Sequence, residues 1–168
     1  MAEWLRRAGV GQALDGATVT WSVAEGRRGR RWREVVAVDD GLRSSLLLEL
    51  DRDGRFSHLE LSSAAGLLTL HPEGNGTLHG NAITRGGIEH VRGIPWHRDR
   101  AIELEGSIVC AAAAIRPDGA RATTFLRIGL SLGLETVADA ADRSLVTDDG
   151  LPRLAGGRTW ALEGETER

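Results

Sequence analysis

Across residues 18–93 apolar side chains recur at every second position in run after run, and this periodicity restricts the chain more than any other feature. Side chains that alternate between two faces suit a β-strand with one side on a core and the other on water, whereas a helix needs a period near 3.6. The runs are TVTWSVAE, RWREVVAV, RSSLLLEL, RFSHLELS, GLLTLH, GTLHG and IEHVRG. Turn chemistry separates them: DRDG at 51–54 and PEGN at 72–75, with PDG at 117–119 and DDG at 148–150 further on. Gly and Asn accept the positive φ that tight connections need. TTFLRIGLSL, LETVADAADRSLVT and GRTWALEG supply later strands, the second of them only loosely alternating. The expected fold is all-β, a single strongly curved antiparallel sheet or half-open barrel of about nine to ten strands, because a flat sheet so wide would curl, close or split.

Ahead of the strands, AEWLRRAGVGQAL can place Trp4, Leu5, Ala8 and Val10 on one helical face, weakened by two glycines. A short helix or irregular arm is expected over residues 1–15, followed by a β domain over 18–163. With no repeat or linker, residues 1–168 read as a single domain. The net charge of −3 provides no general attraction to nucleic acid. One cysteine cannot build a disulfide framework, and neither a signal-peptide core nor an apolar window of ~18 residues is present. These features lead us to expect a soluble cytoplasmic protein with no integral membrane segment; the oligomeric state is left open.

Several stretches invite chemical readings. GRRGRRWR at 26–33 has the composition of a phosphate-binding arm with a stacking tryptophan, but an acidic chain favours an exposed hairpin tip, and no nucleic-acid partner is expected. HPEGNGTLHGN at 71–81 is glycine-rich, yet a strand follows where a phosphate loop would need a helix. Among the five histidines, His58, His71, His79, His90 and His97, there is no HxxxH or HxH pair, and CxxC is also absent. His71 and His79 flank one hairpin and can face each other, but without a third ligand they read as paired surface histidines, so no metal and no cofactor are expected. There is no GxSxG elbow, and Cys110, between Val109 and a run of alanines, sits where a thiol is kept inert.

One pattern points to a ligand. Trp32 and Glu34 share a face with Val36 and Val38, and Phe56, His58 and Glu60 share a face opposite Leu59 and Leu61. Aromatic residues beside carboxylates on a curved sheet would make an amphipathic pocket.

The order and spacing of TVTWSV, REVVAV, LLLELDRDGRFSHLEL and LTLHPEGNGTLHG resemble a bacterial glycolipid-binding family of small single-domain proteins. The resemblance implies a curved antiparallel sheet similar in shape to the periplasmic lipoprotein carriers, and it covers residues 18–163. Trp21, Glu34 and Arg116 are the positions it carries over. The chain departs from the family at Cys110 and the alanines after it, where the family has Thr-Asn and Leu-Pro, and at Gly76-Thr77-Leu78, where it has Gly-x-Trp. In this frame GIPWHRDRAIELEGSIVC at 93–110 is a strand connection at the mouth of the sheet, with Trp96, His97 and Arg98 at the rim.

The functional expectation is non-enzymatic binding of a small amphipathic molecule, a lipid or glycolipid, on the concave face, with Trp21, Trp32, Glu34, His58, Glu60, Trp96 and Arg116 as ligand-binding residues and no catalytic residues. Two alternatives compete with it. One is a small β-barrel hydrolase or isomerase using His58 and Glu60 as acid and base, which requires the two to converge on a substrate. The other is a structural or partner-binding domain with a filled interior.

Overall fold

The computed structural model describes residues 4–39, 41–138 and 143–162. The elements in chain order are β1 (Arg6–Gln12), β2 (Thr18–Gly26), β3 (Gly29–Val38), β4 (Gly41–Leu50), β5 (Phe56–Ser63), β6 (Gly66–Pro72), β7 (Thr77–Thr84), β8 (Gly87–Pro95), β9 (Ala101–Leu104), α1 (Ile108–Ala113), β10 (Phe125–Ile128), β11 (Leu134–Val137) and β12 (Ala155–Ala161). A 3₁₀ turn at Arg143–Leu145 precedes β12. The first eight strands form an antiparallel meander, and β12 returns to the free side of β1, giving a nine-stranded sheet in the order β12-β1-β2-β3-β4-β5-β6-β7-β8. The fold is mainly β, and the sheet does not close into a barrel. A second sheet, β11-β10-β9, pairs β9 and β10 in parallel through α1.

The alternation read from the sequence sets the inner face. Register aligns Val23, Trp32, Leu48, Leu59, Leu70 and Gly80 in one transverse row and Trp21, Glu34, Leu46, Leu61, Leu68 and Ala82 in the next. All of these residues are buried, and full burial of one Leu is worth about 1.5–3 kcal/mol. They form one core with Ile102 and Leu104 of β9, Leu126 and Ile128 of β10, and Ile108, Val109, Cys110, Ala112 and Ala113 of α1. Flat, nine strands would span about 38 Å at the usual spacing, too wide for one short helix and two short strands to cover. The sheet therefore curves around them, and its concave side is largely filled from within.

The turns follow their chemistry. Asp51 Oδ1 accepts the amides of Asp53 and Arg55 at 2.9 Å in the β4–β5 connection, and Gly54 adopts a φ of +77°. In the β6–β7 connection the Asn75 side chain accepts the Thr77 amide at 3.2 Å.

Three local expectations are corrected. Residues 6–12 are a strand paired on both sides, not a helix or irregular arm. The reason is tertiary: the backbone of Gly9 lies under the Trp21 indole, where a Cβ would come within 2.3 Å of Trp21 Nε1. Residues 93–110 are more than a strand connection, since they contain the end of β8, all of β9 and the start of α1. Ser107 caps that helix, its Oγ accepting the Cys110 amide at 3.1 Å. Finally, Phe56 does not share a face with His58 and Glu60. A bulge after Phe56, where Leu50 pairs with Phe56 but Glu49 pairs with His58, turns the ring inward beside Leu59 and Leu61.

Candidate functional site

The inner face carries few polar interruptions, and they are not scattered. Among the described residues the buried polar side chains are Glu34, Ser44 and Ser107. Glu34 is at 2% exposure in a row otherwise made of tryptophan, leucine and alanine. Strand parity forces it inward between Trp32 and Val36, and Ser44 takes the inward position ahead of Leu46, Leu48 and Leu50 on β4. Glu34 meets the N-terminal end of α1, and Ser44 lines the same pocket as Ile108 of that helix. The Val109 amide donates to Glu34 Oε2 at 3.0 Å, while Glu34 Oε1 is buried without a hydrogen-bond partner among the described residues. Burial raises the Glu34 pKa above the usual carboxylate range, opposed by the Val109 amide, the Ser107 hydroxyl and the Ile108 amide.

Glu34 and Ser44 also line a pocket of about 730 Å³ at this end of the sheet. Its apolar wall comes from Val19 and Val36 of the sheet, Ile108 of α1, and Leu130, Leu145 and Leu154. Around them stand Gln12, Asp15, Arg43, Glu105 and Arg153. Arg43 pairs with Asp15, whose carboxyl is held below its ordinary range first by the Ala17 amide and then by Arg43. The combination is an apolar interior with a buried carboxyl and a charged surround, within the size range of small-molecule sites.

The other expected residues fall elsewhere. Trp21 and Trp32 lie in the core at 2% and 0% exposure with ring centroids 6.1 Å apart, so neither presents a face to a ligand in this pocket, and Trp32 cannot stack on a base beside the Arg27–Arg28 hairpin tip. His58 and Glu60 project from the opposite, solvent side of the sheet, where His58 Nε2 and Glu60 Oε1 are 3.1 Å apart. The acid/base pairing is thus present in distance, but neither residue lines the pocket beside Glu34. Trp96 packs edge-on against Phe56 at 5.3 Å. Arg116 donates to the Asp99 carbonyl at 3.0 Å and pairs with its carboxylate at 3.2 Å, beside a narrow crevice that Arg55, Arg98 and Arg100 also line.

Sequence reasoning reached Glu34 and missed the rest of the pocket. Ser44 is signalled by parity, as a polar residue in an apolar register, and Ser107, which neighbours the Glu34 carboxyl without lining the pocket, by its place just before a run rich in alanine. Leu130, Leu145, Arg153 and Leu154 have no local signal, because only the long-range return of the chain brings them to Glu34. Among the described residues no helix is long and apolar enough to cross a membrane. No family model matches the chain, and no curated protein or solved structure matches it at the significance required.

Proposed function

We propose that this protein binds an amphipathic small molecule, of lipid or glycolipid type, in the pocket between the Glu34 end of the sheet and the start of α1, and does so without chemical conversion. The observation that carries the reading is the pocket of about 730 Å³ whose walls are largely apolar and whose lining includes the buried Glu34 carboxyl. Each methylene transferred from water to such a wall is worth about 0.8 kcal/mol, so an acyl chain is a natural occupant. The Asp15–Arg43 pair and Arg153 suit a polar head group at the entrance. The resemblance of the TVTWSV, REVVAV and LTLHPEGNGTLHG order to a glycolipid-binding family supports the same ligand class. Of the residues expected to meet the head group, Glu34 is the one that this reading retains.

The test is equilibrium binding of an environment-sensitive fluorescent fatty acid, with unlabelled fatty acid and glycolipid as competitors. Leu145→Arg, which places a charge in the apolar wall, is expected to weaken binding by at least about tenfold, since burying an unpaired charge is costly. His58→Ala, on the outer face, is expected to leave it unchanged. Equal affinity in the Leu145→Arg protein would remove the pocket from consideration.

A further inference from the structure

On the outer face of the sheet, away from the pocket, three metal-binding side chains converge at one hairpin. His71 on β6 and His79 on β7 are direct cross-strand partners, with ring centroids 5.3 Å apart. Glu73 stands two residues after His71, which returns it to the same side of the strand. The connection holds it there, because the Glu73 amide donates to the Thr77 carbonyl at 2.8 Å and the Gly76 amide to the Glu73 carbonyl at 3.4 Å. One Glu73 oxygen is 3.4 Å from His71 Nε2 and 4.0 Å from His79 Nδ1, and one donor atom from each residue lies within 4.8 Å of the others.

We propose that His71, Glu73 and His79 form a binding site for a divalent late transition metal, zinc being the best match. Two donors each about 2.0–2.1 Å from a tetrahedral zinc are about 3.3 Å apart. The His71–Glu73 separation already fits that spacing, and small side-chain rotations bring His79 in. Two imidazoles and one carboxylate suit zinc, whereas calcium and magnesium call for oxygen ligands. The side chains are 43%, 45% and 38% exposed, so an ion reaches them from solvent without any opening of the fold. Three protein donors leave a fourth position for water or for a donor from another molecule. The site does not depend on the pocket or on its ligand.

Calorimetric titration of the tag-free full chain with zinc, repeated with cobalt(II) to read coordination geometry by its visible absorption, tests the assignment. One zinc per chain and a tetrahedral cobalt spectrum are expected. His71→Ala, His79→Ala and Glu73→Gln are each expected to weaken binding by more than about tenfold, the least that loss of even an outer partner of a metal ligand costs. His58→Ala is expected to bind as the parent does. The three positions are half-exposed, so the variants are expected to keep the parent circular dichroism. Absence of saturable zinc binding in the parent, or undiminished binding in all three variants, would overturn the proposal.

Discussion

Replacing Glu34 by Gln tests the electrostatic origin of the site. Glu34 ionises near 4.5 when unperturbed, and burial raises that value in the folded protein. Below pH 4.5 both folded and unfolded chains hold the proton, and the residue contributes no pH dependence. Above it the unfolded chain releases the proton and the folded chain retains it. Stability therefore falls as pH rises, by up to about 1.4 kcal/mol per pH unit, until the raised folded pKa is passed and the curve levels. For a chain of this size that slope is worth about 3–5 °C of Tm per pH unit. Glutamine has no proton to lose. Its amide, left without a partner, costs a constant amount of about 1–3 kcal/mol, which displaces the curve without tilting it. Cys110, beside Glu34, is held at about 12 and does not titrate in this window. Thermal melts of parent and Glu34→Gln from pH 4 to 8 are the assay, read as the difference in Tm. A difference that moves in favour of the variant as pH rises above 4.5 is expected. Parallel curves would refute the claim that burial, rather than solvent, sets the state of this carboxyl.

Two further outcomes follow from packing. Gly9→Ala forces a methyl into the Trp21 indole and is expected to destabilise by about 1–3 kcal/mol in chemical denaturation, while an unchanged midpoint would mean that β1 does not lie under Trp21. The Cys110 thiol, buried and pushed up to about 12, is expected to resist alkylation at pH 8 in the folded protein and to react once denaturant opens it; rapid native labelling would place it outside the core.

How far the sequence reveals this molecule follows from the range of each interaction. Strands β2 to β7 and their turns were legible because side-chain alternation and Gly, Asn and Asp turn chemistry act over a few residues. Segment 6–12 carries no clear strand signal, because Gly9 and Gly11 weigh against any regular element locally. Their use is nonlocal, with Trp21 crossing Gly9 and Leu154 lying 2.8 Å from where a Gly11 Cβ would stand. The helix α1 was missed because it has six residues and opens with Ile-Val, which favours a strand, so its helical state rests on packing in the concave face. Glu34 could be placed by parity alone, whereas one bulge at β5 was enough to separate Phe56 from His58 and Glu60. The His71–His79 pairing was visible from hairpin register. Glu73 carries no such signal, because it stands in the PEGN turn and only the closing of that turn brings it beside the two imidazoles.

The central claim is that the pocket beside Glu34 holds an amphipathic molecule. Native mass spectrometry of the tag-free protein, taken as purified and again after incubation with mixed fatty acids and glycolipids, tests it most directly, with denaturing analysis of whatever dissociates. A stoichiometric adduct of lipid mass, present in the parent and lost in Leu145→Arg, is the expected result. A bare chain mass under both conditions, or an adduct retained in full by Leu145→Arg, would contradict it.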